Sequence, residues 1–180
     1  SSHLVISYAV FCLKKKNVML IVAMTEYDRE DPKRIQHFMK VHDYAAAIGI
    51  LEGLDPKTQD ILESAAILHD IGIHISEQKY GSCNGKYQER EGPDEAQRLM
   101  EGLGDFTKEE INRICYLIGH HHTYSHIDGP DYQILVEADF LVNLHEDNCS
   151  AHAIENACRN IFKTDTGIGI LRSMFDKKET

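Results

Sequence analysis

From Asp31 to Phe175 apolar residues recur every three or four positions, the spacing of helices that bury one face. Phe38, Val41, Ala45 and Ile48 make the first stripe, opened by Asp31-Pro32 and closed near Gly53. Asp55-Pro56 reads as an N-cap followed by an N1 proline. The helix it opens turns Ile61, Ala65 and Leu68 inward and stops by Gly72. Residues 73–92 mix polar and apolar positions and carry Gly81, Gly85 and Gly92, which predicts a long loop. Pro93 then restarts a helix with Ala96, Leu99, Met100 and Leu103 on one face. Thr107 and Glu110 form a capping box ahead of Ile111, Ile114, Cys115 and Ile118. A second loop holds His120-His121-His122 and the turn signal Asp128-Gly129-Pro130. Tyr132 to His145 is the most apolar helix, Ser150 caps another to Phe162, and a short one runs from Gly169 to Phe175. The pattern predicts an all-α, single-domain bundle of six or seven helices over residues 31–176, without repeats or linker.

Residues 1–30 read as an N-terminal extension. Leu4 to Leu13 is mostly apolar, Lys14-Lys15-Lys16 follows, and Val18 to Ala23 is apolar again. Neither run approaches the roughly 20 residues of a membrane span, and a signal peptide would place its basic residues first. Two readings stay open. One is a pair of short strands about a basic turn, the other sequence added for expression ahead of a natural start at Met19 or Met24. Lys177 to Thr180 reads as a polar tail.

Composition narrows the function. Over 180 residues, 29 Asp and Glu outweigh 19 Lys and Arg, for a net charge of −10. That argues against a polymeric nucleic acid or an anionic membrane as partner, since both are gripped by clustered cations. Five cysteines without a CxxC pair argue against a disulfide framework and favour a reducing cytoplasm, with Cys115 and Cys158 as core residues. Eleven histidines and no tryptophan are out of line, and histidine is the commonest metal ligand.

The helical register separates some of those histidines from the rest. His37 lies four before Val41 on the inward stripe, His69-Asp70 ends the second helix, and Asp139 is embedded in Ile134 to Val142. An ionised carboxylate on such a face is costly unless it is paired or binds metal. His42, about 140° further round the helix than His37, reads as structural or solvent-facing. Imidazoles and carboxylates from three helices suit a divalent transition metal, or a mixed site with water in open positions.

Arg34 to Val41, then Ala66-Ile67-Leu68-His69-Asp70-Ile71-Gly72, then Glu137-Ala138-Asp139-Phe140-Leu141 resemble the ordered H…HD…D signature of the HD-domain metal-dependent phosphohydrolases over roughly residues 30–160. The resemblance implies that His37, His69, Asp70 and Asp139 bind one divalent ion, of Mn, Fe, Ni, Zn, Co or Mg. Ile118 to His122 resembles the paired-His segment that supplies a second ion in dinuclear members, and His120 with His121 is the register chosen. The His that such members place between the doublet and this pair is not obvious, and Glu91 or Gln88 is left as a substitute. Many members follow the doublet with x-Gly-Lys. Here Ile73 holds the lysine position, and His74 is either a proton donor or a partly exposed loop residue.

The implied chemistry is hydrolysis of a phosphate mono- or diester of a small molecule, a nucleotide above all. A bound metal lowers the pKa of water from about 15.7 to roughly 7 and offsets phosphoryl charge. Asp70 would ligate metal and orient the nucleophile, while Arg34, Lys79, Lys86 and Arg90 are candidates for gripping phosphate. His126 is either a substrate contact or background, and His3, His42, His122, His145 and His152 need no functional explanation. Asp128 to Tyr132 is not a GYP-type segment, so cyclic-dinucleotide specificity has no support. An HD-fold di-iron oxygenase, a nonenzymatic metal or nucleotide sensor, a plain helical interaction domain and a homodimer stay open.

Overall fold

A computed structural model of the chain describes residues 2–176, with side chains from Lys15 onward. The polar tail Lys177 to Thr180 and the side chains of His3 and Cys12 lie outside the described residues. Within them the chain is all-α, with nine helices and no strand. These are α1 (Ser2–Tyr27), α2 (Pro32–Leu51), α3 (Pro56–Leu68), α4 (Ile73–Tyr80), α5 (Gly85–Leu103), α6 (Lys108–Ile118), α7 (Pro130–Glu146), α8 (Ala151–Asn160) and α9 (Asp165–Phe175).

The start signals act as the sequence indicates. Asp31 Oδ1 accepts from Arg34 N, Asp55 from Lys57 N and Thr58 N, and Ser150 from Ala153 N, while Thr107 and Glu110 close a reciprocal capping box. Two expectations are corrected. The pair of short strands over the N-terminal residues is instead the continuous helix α1, and Lys16, read as part of a basic turn, is buried between Asp60 and Glu110. Leu20 and Met24 are buried in the core on the same helix, and α1 packs along α3.

The second correction concerns residues 73–92, which form α4 and the first half of α5 rather than a long loop. Their glycines end or join helices. Gly81 takes φ +65° as the C-cap of α4, and Asn84 caps α5 at Gly85. Gly72 and Gly92 sit where the two helices cross, and a Cβ on Gly72 would stand 2.8 Å from the backbone atoms Gln88 O and Gly92 N. Pro93 lies inside α5 instead of starting it. The last helix also begins earlier than Gly169, capped by Thr164, whose Oγ1 accepts from Gly167 N.

Helix α3 is central, packed against α1, α2, α6 and α7, and α7 also packs on α2 and α9. Both are buried nearly all round: Asp60 to Leu68 except Glu63, and Ile134 to Asp139 followed by Leu141 and Val142. No helix among the described residues is long and apolar enough to cross a membrane. Cys83, Cys115, Cys149 and Cys158 are free thiols, Cys158 buried and Cys115 half-buried.

Glu137, fully buried, ties α7 to the connection between α8 and α9. Its Oε1 accepts from Lys163 N at 2.6 Å, Thr164 N at 3.0 Å and Gln133 Nε2 at 2.7 Å, and its Oε2 accepts from Thr164 Oγ1. A side chain at Gly167 would collide with this carboxylate. Glu137→Ala strands these donors, so denaturant titration should show a loss of roughly 2–4 kcal/mol. An unchanged midpoint would mean that the carboxylate does not hold this connection.

Candidate metal centre

Four segments bring their polar residues to one place. His37 stands on the second turn of α2, and His69 and Asp70 lie in the tight turn after α3. Asp139 is in mid-α7, and His121 and His122 follow the C-terminal end of α6. His37 Nε2 is 3.3 Å from His69 Nε2, 3.2 Å from Asp139 Oδ1 and 3.5 Å from Asp70 Oδ2. His69 Nε2 is 3.4 Å from Asp70 Oδ2 and 3.5 Å from Asp139 Oδ1. The other Asp70 oxygen, Oδ1, faces His121 Nε2 at 3.6 Å. One carboxylate therefore addresses two clusters, His37 with His69 on one side and His121 with His122 on the other. In each set the donor atoms lie within 4.8 Å of one another.

The imidazoles are locked in one tautomer. His69 Nδ1 is 2.8 Å from Ala66 O and His121 Nδ1 is 2.8 Å from Ile118 O, and a carbonyl can only accept, so both Nδ1 atoms carry hydrogen. His37 Nδ1 donates likewise to Glu146 Oε2 at 3.0 Å, whose Oε1 accepts from Lys40 Nζ. In the neutral rings all three Nε2 lone pairs then point inward. Those of His37 and His69 face each other, and His121 Nε2 is buried without any hydrogen-bond partner. Opposed lone pairs and an orphaned buried nitrogen are unfavourable among themselves and favourable around a cation. Asn143 Nδ2 donates to Asp139 Oδ1 at 2.8 Å and fixes that carboxylate as well.

The charges agree. Burial alone would raise Asp70 and Asp139, yet the neighbouring imidazoles outweigh it and hold both carboxyls well below the usual range. Burial alone would lower His37 and His69, yet Asp70 and Asp139 outweigh it and hold both above their ordinary values, His69 well above. His122 behaves differently. Burial, and then the neighbouring His121, push it down to about 4, so its ring is neutral near pH 7. The set offers anionic oxygens and imidazole nitrogens, a donor mixture suited to a divalent transition ion.

Residues 34–154 match the HD domain family, about two thirds of the chain. The chain belongs to the HD domain family. No curated protein and no solved structure matches it. Most HD-domain proteins are metal-dependent phosphohydrolases, and His37, His69, Asp70 and Asp139 all fall within the matched residues.

An open cavity of about 420 Å³ has Asp70, His37, Asp139 and His122 in its walls. Around this HD centre the structure sorts the remaining candidates. Arg34 lines the cavity, and so does Lys33, which sequence reasoning missed. Lys86 and Arg90 instead line a separate surface hollow with Tyr80 and Tyr87, and Lys79 pairs with Glu91. His74 does not line the cavity either. Its Nε2 is 3.0 Å from Asp28 Oδ1 and its Nδ1 is 2.9 Å from Arg34 Nη1, so it braces Arg34 rather than meeting a leaving group.

The register of the second cluster is also corrected. The His120 ring stacks on Tyr116 and its Nδ1 bonds Tyr116 O, whereas His122, read as background, joins His121 and Asp70. Of the two proposed stand-ins, Glu91 is engaged by Lys79 and Tyr80. Gln88 lines the cavity, with Oε1 at 3.2 Å from His122 Nε2 and Nε2 donating to Cys83 O. His126 lies on an exposed loop at φ +61° and does not line the cavity. Glu146 and Asn143 were also missed, although Asp139, Asn143 and Glu146 follow the i, i+4, i+7 spacing of one helix face.

Because Asp70 and Asp139 hold His37 and His69 above their ordinary pKa, protons compete with a metal for the inward nitrogens of this pair. A metal must displace those protons, so its affinity rises with pH and falls on acidification through neutrality. Calorimetric titration of Mn²⁺ into chelator-treated protein, in buffers of different ionisation enthalpy, should show proton release on binding. Binding that is independent of pH and buffer would contradict this arrangement. In the same assay His122→Ala should weaken binding of a second ion about ten-fold or more, and His120→Ala should leave it unchanged.

Proposed function

We propose that this HD-domain chain hydrolyses a phosphate mono- or diester of a small molecule, in the first instance a nucleotide. The observation that carries the reading is the placement of Asp70 between two donor clusters at the floor of a cavity that also presents Lys33 and Arg34. His37, His69, Asp70 and Asp139 would hold one divalent ion, and Asp70, His121 and His122 a second. When bound, such ions supply Lewis acidity toward phosphoryl oxygens and a water acidified toward neutral pH.

The chain's own residues do the rest. Lys33 and Arg34, in the first turn of α2, put positive charge on a wall otherwise made acidic by Asp31, Glu146 and Asp147. Arg34 is held from behind by His74, Asp31 and Glu77, with Nη2 donating to Glu77 Oε1 at 2.7 Å. This bracing fixes the guanidinium, and a fixed group loses less conformational freedom when an anion arrives. Lys33 lines the same cavity and makes no ion pair among the described residues, so its flexible ammonium can turn onto a phosphate. Glu146 and the carbonyls of Ala66 and Ile118 keep the three imidazoles aimed at the cavity floor.

The cavity volume lies within the range of small-molecule sites. Its acidic rim disfavours a long polyanion, which limits the substrate to a compact phosphate ester.

Metal analysis of the purified chain, coupled to phosphate release from a panel of nucleotides and phosphoesters, tests the proposal. Divalent metal and turnover are expected to occur together and to be lost together on chelation. Asp70→Ala should lower kcat by at least about 100-fold while the helical circular dichroism is retained. Turnover surviving in folded Asp70→Ala would sink the assignment.

A further inference from the structure

A second hollow of about 340 Å³ opens off the metal cavity and shares His122, Asp139, Asn143 and Asp147 with it. Its character is different, because the remaining walls include Tyr124, Phe140 and Leu144. The Tyr124 and Phe140 rings meet edge-on at 5.1 Å between centroids, which leaves a ring face for a third aromatic group to stack on. Tyr124 stands on the loop before α7 and is 45% exposed, with Phe140 as its aromatic neighbour. The shared rim offers hydrogen-bond acceptors. Asn143 donates one of its two amide hydrogens to Asp139 Oδ1 and has Oδ1 as an acceptor, and Asp147 adds an exposed carboxylate.

We propose that this recess is the subsite for the nucleobase of a nucleoside phosphate, with Tyr124 and Phe140 as specificity-determining residues. The inference rests on the phosphohydrolase reading for the fate of the phosphate, but the base-binding step stands on the recess itself. A ligand whose phosphate lies against Lys33 and Arg34 would carry its base past Asp139 and Asn143 into the aromatic hollow. Acceptors at the rim favour a base with an exocyclic amine, or ribose hydroxyls on the way to it. A sugar phosphate has no group that buries the aromatic wall, so it would lose this contact without losing the contacts of its phosphate.

The test compares adenosine 5′-monophosphate with ribose 5-phosphate as substrates of the full, metal-loaded chain. Tyr124→Ala should lower kcat/KM for the nucleotide roughly ten-fold, the scale of one aromatic–base stack. The sugar phosphate should be unaffected, and Tyr124→Phe should restore the nucleotide. Equal loss for both substrates, or no loss for either, would overturn the subsite. If neither compound is hydrolysed, the phosphohydrolase reading fails for these substrates and binding decides the recess separately. Saturation-transfer NMR on chelator-treated protein should then show adenosine bound to the wild type and weakened by Tyr124→Ala, with ribose silent. Absence of saturable adenosine binding would reject the proposal.

Discussion

The rest of the structure is arranged around one electrostatic constraint. Three imidazole Nε2 atoms and two carboxylates are gathered where four segments of an apolar bundle meet, with His69 and His121 essentially without solvent. Each Nδ1 hydrogen is committed outward, so the inward atoms have only lone pairs and negative charge to offer one another. Such a set is costly to bury by itself, because desolvation removes what water would have supplied. Protonation of the His37–His69 pair relieves the cost in the free protein, and a divalent cation relieves it more completely. Proton and metal thus compete for one location.

The helices hold this set rigidly for a simple reason. The ligand-bearing segments belong to, or directly follow, the helices with the most buried surface. α3 ends in the His69-Asp70 turn, and Asp139 is embedded in an all-round buried run of α7. Glu137, two residues from Asp139, anchors the far side of α7 to the α8–α9 connection and limits its freedom to rotate. The bare Gly85 and Gly92 let α5 lie close against His122 and Ile118, and Gln88 on the same helix touches His122. Packing and chemistry are therefore coupled: the same helix contacts that build the core set the distances in the site.

Much of this was legible in the sequence, for physical reasons that differ from residue to residue. His37, His69 and Asp139 stood out because each is polar at a position where helical periodicity demands burial. The caps at Asp31, Asp55, Thr107 and Ser150 were legible because capping is local chemistry. The errors arose where meaning depends on partners far along the chain. Gly81, Gly85 and Gly92 read as loop formers until their αL cap, helix start and helix crossing are seen. Lys16 read as a turn residue because Asp60 and Glu110, its ion-pair partners, are distant in sequence. His120 to His122 could not be ordered by periodicity, since they follow the helix end, and the turn geometry turns His120 onto Tyr116 and His122 inward. The basic residues of 79–90 looked like phosphate ligands by charge alone, whereas the fold gives the cavity Lys33 and Arg34 instead.

The central claim is that the inward-facing nitrogens and carboxylates exist to surround a cation. The most direct measurement is anomalous diffraction from crystals of the full chain grown with Mn²⁺, with data on both sides of the metal edge. The account predicts an anomalous peak bounded by Nε2 of His37 and His69 and by the carboxylates of Asp70 and Asp139. A well-ordered structure in excess metal, with those side chains in place and no peak among them, would contradict it.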